Sequence, residues 1–226
     1  MNDVRDSKER AWREVAAIDA AYERGEIDDA GWHRAMADLI VPAYLAGDVR
    51  RGSGHSGSAE DWDYSRGIVS ELVARDRSLT FLDVGCANGL LMESIARWCP
   101  NVEPYGLDIS PELAARARER LPHWADRIFV GNALGWQSPR RFDIVRTGLE
   151  YVPQRRRQDL VKHLLGMTEL LIIGKFGEEI EDRAIERDLR AWGFEIVRTV
   201  ERPHRNDARI CYRAIGVRSP VSGCPV

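Results

Sequence analysis

The chain has 226 residues, of which 44% are hydrophobic and 31% are charged, and its formal net charge is −3. A chain of this length buries roughly 70% of its unfolded surface, so one domain with a core of its own is expected. The small negative charge excludes a strong overall attraction to nucleic acid or to a membrane surface. The four cysteines form no CxxC pair, so no zinc or redox site is expected, and no other metal site is predicted.

The N-terminal segment predicts two helices. Val15, Ile18 and Tyr22 share one face of the first helix, which Gly25 ends. One of the two aspartates that follow this glycine can cap the second helix, in which Pro42 predicts a kink or an end. The opening residues are polar, unlike a signal peptide, and no apolar run reaches membrane length. These features predict a cytoplasmic protein without a membrane partner.

A stretch rich in glycine and serine, residues 51–57, follows the helices and contains His55. Ser58 and Asp61 then show the pattern of a capping box, which predicts a helix that runs to about residue 75. Because a loop of small residues is flexible, it could fold over a ligand and place His55 there as a catalytic base. The alternative is an ordinary exposed histidine.

A strand, a glycine turn and a helix follow one another from residue 79. Residues 79–84 form a short apolar run, and apolar residues recur at helical spacing after Gly89. Gly85 and Gly89 allow a sharp turn and leave no Cβ to block a ligand in the crevice at the end of the strand. Asp83, just before the first glycine, would repel a pyrophosphate. The turn therefore favours a ligand that has no phosphate and has a cationic end.

This turn is similar to a motif of a known family. The segment Asp83-Val84-Gly85-Cys86-Ala87-Asn88-Gly89 resembles the first motif of class I S-adenosylmethionine-dependent methyltransferases, in which an acidic residue precedes three alternating glycines. Ala87 stands in place of the middle glycine. The resemblance implies that S-adenosyl-L-methionine is the cofactor and that this turn binds it. The residues that it assigns to the cofactor are Asp83, Gly85, Cys86, Ala87, Asn88 and Gly89.

A second carboxylate lies at the end of the next predicted strand, residues 103–109. Asp108 follows Gly85 by 23 positions, close to the spacing of a ribose-binding carboxylate. Ser110 and a proline after it predict a capped helix start. The whole stretch also resembles the second motif of the same family, so Asp108 and Ile109 are assigned to the cofactor.

The third predicted strand, residues 127–133, ends with Asn132 and Ala133. The resemblance implies that this strand end contacts the adenine of the cofactor, usually through an aspartate. The amide oxygen of Asn132 can accept a hydrogen bond in the same way. The alternative is a turn asparagine that tolerates a left-handed backbone.

The fourth predicted strand, residues 142–148, should end at the methyl group. Thr147 is assigned to the cofactor, and Glu150 and Tyr151 are candidates to contact or deprotonate the acceptor. The alternative for the latter two is a solvent-facing position at a helix start, where a glutamate suits the helix dipole.

The fold that the resemblance implies is α/β, with a doubly wound, seven-stranded, mostly parallel sheet and an N-terminal helical extension. Its last strand runs antiparallel beside the fifth. The predicted units are residues 1–57 (extension and loop), 58–217 (S-adenosylmethionine-binding domain) and 218–226 (flexible tail). In this family the N-terminal segment often covers the substrate, so the extension is either a lid or a segment that only packs on the domain.

The activity that the resemblance implies is transfer of a methyl group to an oxygen, nitrogen or carbon nucleophile, with S-adenosyl-L-homocysteine as the product. A small-molecule acceptor is favoured, because the chain has neither a basic excess nor a recognisable RNA-binding module. The alternatives are an RNA or protein methyltransferase, or a catalytically silent protein that binds S-adenosylmethionine and regulates a partner. An NAD(P)-dependent oxidoreductase is disfavoured by Asp83. Both a monomer and a homodimer are compatible with the sequence.

Overall fold

A computed structural model describes residues 2–46 and 58–220 of the chain. The helices are α1 (Asn2–Glu23), α2 (Asp29–Leu45), α3 (Ala59–Arg66), α4 (Leu90–Trp98), α5 (Pro111–Arg120), α6 (Arg157–Leu165) and α7 (Ala184–Ala191). The strands are β1 (Leu79–Val84), β2 (Val102–Asp108), β3 (Ile128–Val130), β4 (Phe142–Thr147), β5 (Thr168–Glu179), β6 (Glu195–His204) and β7 (Asp207–Arg218). His55 and residues 221–226 of the predicted tail lie outside the described ranges, within which no helix is long and apolar enough to cross a bilayer.

One sheet contains all seven strands of the described chain, in the order β3-β2-β1-β4-β5-β7-β6. The strands from β1 to β5 pair in parallel, and β7 runs antiparallel to both β5 and β6. The chain winds outward in both directions from the central pair β1 and β4, which leaves a crevice at their carboxyl ends. This arrangement confirms the predicted doubly wound, mostly parallel sheet with an N-terminal helical extension. The predicted domain boundary after residue 57 stays a prediction.

Apolar side chains fill both faces of the sheet. Successive residues of a strand point to opposite faces, so the neighbours Phe81 and Leu82 of β1 belong to different clusters. Leu82 lies in one cluster with Leu160 of α6, and Phe81 lies in the other with Ile95 of α4. All four side chains are fully buried. Burial of side chains of this size stabilises the fold by about 1.5–3 kcal/mol each, which fixes the strand ends that form the crevice.

The two N-terminal helices form a hairpin. Tyr22 of α1 is buried with Trp32 and Met36 of α2, which confirms the predicted apolar face of α1. Gly25 follows α1 with a left-handed φ of 73°. Asp28, and not the next aspartate, caps α2, and its side chain accepts a hydrogen bond at 2.7 Å from the backbone amide three residues later.

Three element boundaries differ from the sequence prediction. Helix α2 continues through Pro42 for one more turn, because the proline comes late enough that few backbone bonds depend on it. Helix α3 has the predicted capping box but gives way to a 3-10 turn at Gly67, a residue that is unfavourable inside an α-helix. Strand β5 extends beyond the predicted residues 170–174 to Glu179, since β7 provides it with hydrogen-bonding partners along that length.

Candidate functional site

A cleft lies at the carboxyl ends of the central strands, where ligands bind in open α/β sheets. Helix α2 forms its roof. About 860 Å³ of space lies between its walls, a volume that includes open solvent. The sequence-predicted residues that line it are Gly85, Ala87, Asp108, Ile109, Asn132, Ala133, Thr147, Glu150 and Tyr151.

The glycine turn after β1 forms the floor of the cleft. Gly85 has a φ of 77°, and a Cβ added there would lie 2.5 Å from the ring of Tyr151. Any other residue would therefore displace this ring as well as strain the backbone. Ala87 also has a left-handed φ, at 46°, although alanine carries a Cβ. The turn thus keeps the shape expected of a glycine-rich loop at a position where the glycine itself is missing.

Asp108 holds this turn from the end of β2. One oxygen of its carboxylate accepts from the Ala87 amide at 2.7 Å, and the other accepts from the Ser110 amide at 2.9 Å. Burial raises the pKa of the Asp108 carboxyl, and the backbone N–H donors offset this only in part. Each carboxylate oxygen has a further lone pair, so Asp108 can still accept hydrogen bonds from a ligand in the cleft.

Three residues of the predicted motif lie behind the turn and do not line the cleft. The Cys86 amide donates to the Leu107 carbonyl at 3.1 Å, and its side chain is buried in the core. The Asn88 carbonyl accepts a hydrogen bond from Arg120, and Gly89 starts α4 with a φ of 78°. These residues shape the turn from below, and their direct contact with a cofactor stays a prediction.

Asp83 is likewise placed behind the cleft. Its carboxylate accepts a hydrogen bond at 3.2 Å from Arg146 of β4, and both side chains are buried. Burial raises the pKa of Asp83 to about 6, against the opposing effect of the Arg146 charge. The Asp83 charge is therefore balanced inside the protein. The carboxylates that line the cleft, and that a cationic ligand would meet, are those of Asp108 and Glu150.

Asn132 occupies a turn at the wall of the cleft. Its side-chain oxygen accepts from the Leu134 amide at 3.0 Å, and its carbonyl accepts from the Trp136 amide at 2.8 Å. This is the geometry of a turn asparagine. Because an amide oxygen has two lone pairs, one remains for a ligand, and the adenine contact stays a prediction.

The segment after β4 brings the predicted catalytic pair to the cleft. Leu149–Tyr151 forms a 3-10 turn, and both Glu150 and Tyr151 line the cleft beside Thr147. Burial raises the pKa of the Tyr151 hydroxyl, which also interacts with Arg146. At neutral pH Tyr151 therefore keeps its proton and can donate a hydrogen bond. This environment makes it a poor base, whereas Glu150 stays a candidate.

The roof of the cleft was not recognised from the sequence. The residues of α2 that line it are Trp32, His33, Met36, Ala37, Ile40, Val41 and Tyr44. The sequence feature that could have revealed this roof is the wide apolar face of α2, which is wider than packing against a single helix requires. Among these side chains, His33 is buried, and burial lowers its pKa.

The charges around the cleft are unevenly distributed. The residues that line it in the described part of the chain include two carboxylates and one histidine but no lysine or arginine. The surrounding wall is mainly apolar, and Ile109 remains 41% exposed. Such a cleft offers no side-chain counter-charge to a phosphate and suits a flat, partly apolar ligand with a positive group.

Comparisons with known proteins agree with this geometry. A family model described as a methyltransferase domain matches residues 81–169, the segment that contains the glycine turn and Asp108. This segment is similar to a methyltransferase domain, and the sheet that contains it has the class I methyltransferase fold. Trans-aconitate 2-methyltransferase of Afipia carboxidovorans is 34% identical to the chain over 79 residues, which cover 34% of this chain and 30% of that protein. The match therefore spans less than a third of the length of this curated relative.

Two solved structures share the fold over most of the chain. The cyclase SpnF is 17% identical with a TM-score of 0.63, and the match covers 83% of this chain and 94% of that one. The N-methyltransferase NodS of Bradyrhizobium japonicum WM9 is 15% identical with a TM-score of 0.56, covering 73% and 99%. At these identities the likeness concerns the fold alone, and one of the two proteins is named for a different reaction.

Proposed function

We propose that this protein is an S-adenosylmethionine-dependent methyltransferase that acts on a small molecule. The observation that carries the proposal is the composition of the cleft. A glycine turn and the Asp108 carboxylate form its floor, and the lining residues described include no lysine or arginine. A ligand with a ribose and a sulfonium suits these groups, whereas the pyrophosphate of a dinucleotide would meet two carboxylates.

The residues of the cleft fit S-adenosylmethionine in three respects. Gly85 carries no Cβ, so a ligand could approach the backbone of the turn once the ring of Tyr151 that packs there has moved aside. Asp108 has lone pairs left for the two ribose hydroxyls, and charged hydrogen bonds of this kind contribute about 1.5–3 kcal/mol each. Ile109 and Ala133 would flank the adenine with apolar surface. When bound, this cofactor supplies a methyl group activated by a positively charged sulfur.

The contribution of the protein is to align the reactants and to keep water out. Helix α2 covers the cleft with Trp32, Met36 and Tyr44, and the turn after β4 closes the opposite side. Alignment of two reactants in a closed site can lower the barrier by roughly 7–11 kcal/mol. Tyr151, which keeps its proton, is placed to donate a hydrogen bond to an acceptor.

The roof also supports a small acceptor rather than RNA or a protein side chain. Seven residues of α2 line the cleft opposite the turn after β4, which favours an acceptor small enough to fit between them. The curated relative is named for methylation of trans-aconitate, so this anion is the comparison acceptor, although the carboxylates of the cleft favour an uncharged one. Ribosomal and transfer RNA should give no labelled product with radioactive methyl donor if the acceptor is small.

The first measurement is calorimetric titration of the full chain with S-adenosylhomocysteine, with NADH as the control ligand. We expect binding in the micromolar range, about −8 kcal/mol, for the first ligand and none for the second. Absence of S-adenosylhomocysteine binding would contradict the proposal. Binding without turnover on any extract of metabolites or RNA would favour the silent regulatory protein.

The second measurement tests Asp108. We expect Asp108→Ala to weaken S-adenosylhomocysteine binding at least about tenfold, or roughly 1.4 kcal/mol, because it removes the acceptor for the ribose hydroxyls. Asp108→Asn keeps one acceptor oxygen and should lose less. Asp63→Ala is the matched control, since Asp63 is partly exposed and pairs with Arg97 on α4. Because Asp108 also holds the turn, circular dichroism must show that each variant is folded; unchanged affinity in a folded Asp108→Ala would refute the assignment.

A further inference from the structure

His33 lies on α2 and lines the cleft from above. Its side chain is buried, with 9% of the residue exposed, and its ring stands edge-on to Trp32 at a centroid distance of 5.2 Å. The Nε2 atom of His33 has no hydrogen-bond partner among the described residues. Buried polar atoms in native proteins nearly always have a partner, so an orphaned nitrogen at the wall of a ligand cleft indicates that the partner is a ligand.

The surroundings of His33 keep its ring neutral. Burial lowers the pKa of His33, and the nearby Arg156 charge lowers it further, while Asp29 on the same helix opposes both. The titratable groups that line the same cleft are Tyr44, Asp108, Glu150 and Tyr151. A neutral imidazole has one nitrogen with a free lone pair, which can accept a proton, and the Asp29 carboxylate would stabilise the cation that results.

We propose that His33 is a catalytic residue that binds the hydroxyl of a neutral acceptor through Nε2 and takes its proton during methyl transfer. This inference rests on the proposed function and deepens it, because it assigns the acceptor to a chemical class. The acceptor is an alcohol or phenol with an apolar body. The roof residues Trp32, Met36 and Tyr44 cover that body.

All atoms, electrons and protons of the methyl-transfer step are accounted for. The acceptor oxygen forms its bond to the methyl carbon as the bond from that carbon to sulfur breaks, and the electron pair of the broken bond remains on sulfur. The hydroxyl proton moves to Nε2 of His33, which becomes a cation, and then passes to solvent when the cleft opens. No oxidant, reductant or metal takes part in this balance.

The charge of the cleft favours a neutral acceptor over an anionic one. An acceptor carboxylate would lie in a space lined by the carboxylates of Asp108 and Glu150, with no lysine or arginine among the described lining residues. Like charges in a site of low dielectric repel strongly. A carboxylate acceptor would also have no proton to give to His33, so the orphaned nitrogen would remain without a partner.

The test is nuclear magnetic resonance of the full chain with isotopically labelled histidine, saturated with S-adenosylhomocysteine. The probes are phenol and cyclohexanol, with toluene and benzoate as comparators. We expect both hydroxyl compounds to shift the Nε2 resonance of His33, toluene to leave it unchanged and benzoate to bind more weakly than phenol. A pH titration should show that the ring of His33 is neutral at pH 7 and that its pKa lies below the ordinary value for histidine.

One variant and its control distinguish a role of His33 in binding the acceptor from a purely structural role. His33→Phe should bind phenol about tenfold or more weakly, because the site loses its hydrogen-bonding partner for the hydroxyl. It should also raise the unfolding midpoint, because it removes a buried nitrogen without a partner. His123→Phe, at an exposed position far from α2 in sequence, is the matched control and should change neither quantity.

Each result decides a separate point. A His33 resonance that responds to neither hydroxyl compound, a cationic ring at pH 7, or a stronger response to benzoate would overturn the inference. A lower unfolding midpoint with unchanged phenol affinity in His33→Phe would show that the residue is structural. If S-adenosylhomocysteine does not bind to the wild type, the proposed function fails by itself, and the phenol titration of the free protein still tests the contact with His33.

Discussion

Ala87 shows how one residue can be held in a conformation that it does not favour. Its φ of 46° is left-handed, which costs an L-amino acid about 1–2 kcal/mol. The hydrogen bond from its amide to Asp108, at 2.7 Å, holds it there. The family motif has a glycine at this position, so the chain keeps the geometry of the turn with a strained residue.

Replacement of this residue should therefore increase stability. We expect Ala87→Gly to raise the free energy of unfolding by roughly 0.5–1 kcal/mol, since relief of the left-handed strain exceeds the entropy that glycine adds to the unfolded chain. Urea unfolding measures the change. Ala115→Gly, on the exposed face of α5, is the matched control and should lower stability by roughly 0.5–1 kcal/mol. The same sign for both variants would show that Ala87 is not strained.

At the scale of elements, helix α2 is fixed over the cleft by a polar contact with the domain. Asp29, in its first turn, accepts hydrogen bonds from Tyr22 of α1 and from Arg156, which precedes α6. Arg155 stacks over the ring of Tyr22, with its guanidinium carbon 3.9 Å from the ring centroid. These contacts connect the N-terminal hairpin to the segment that follows the turn after β4. Asp29 therefore ties the roof helix α2 to the segment that follows the turn after β4, and both of these line the cleft.

Loss of the Asp29 carboxylate should loosen the roof. We expect Asp29→Ala to increase hydrogen exchange of the α2 amides and to speed dissociation of S-adenosylhomocysteine, while the amides of β1 and β4 stay protected. Mass spectrometry of exchanged peptides gives the first readout, and stopped-flow dissociation gives the second. Glu26→Ala is the control, because the ion pair of Glu26 is with the exposed Arg24, two residues earlier in the chain. Unchanged exchange in α2 would mean that apolar packing alone holds the roof and that Asp29 does not fix it.

At the scale of the whole molecule, the antiparallel end of the sheet depends on a buried arginine. Arg213 of β7 is completely buried. Its guanidinium donates to Glu201 of β6 at 2.8 Å and to the carbonyls of Ile180 and Asp182 at 2.9 and 2.6 Å. It therefore connects β7 to the neighbouring strand and to the chain that leaves β5. This network fixes the last strand between its two partners.

Removal of this charge should destabilise the entire domain. We expect Arg213→Met to lower the free energy of unfolding by roughly 3–5 kcal/mol, because two carbonyls lose their donor and the buried Glu186 keeps only its ion pair with Arg183. Arg209→Met lies on the same strand at an exposed ion pair and should change stability by less than about 1 kcal/mol. Equal effects of the two variants in urea unfolding would show that the network contributes no more than a surface pair does.

The sequence alone determined the central sheet and the position of its ligand edge. The apolar run that ends at Asp83, the turn at Gly85 and the cap at Ser110 each specify local structure through sterics and hydrogen bonding of neighbouring residues. These signals act over a few positions, so they can be recognised without knowing what packs against them. The antiparallel last strand beside the fifth follows from the resemblance, and the structure confirms it.

Only the tertiary structure decided which side chains face the cleft. Asp83 is paired with Arg146, which lies 63 residues further along the chain, and Arg156 reaches Asp29 across 127 residues. His33 belongs to a helix whose sequence shows only an apolar face. Side-chain exposure and charge balance depend on contacts between distant segments, which no local pattern encodes. The fold and the cofactor edge were therefore predictable from the sequence, whereas the roof and its orphaned histidine nitrogen were not.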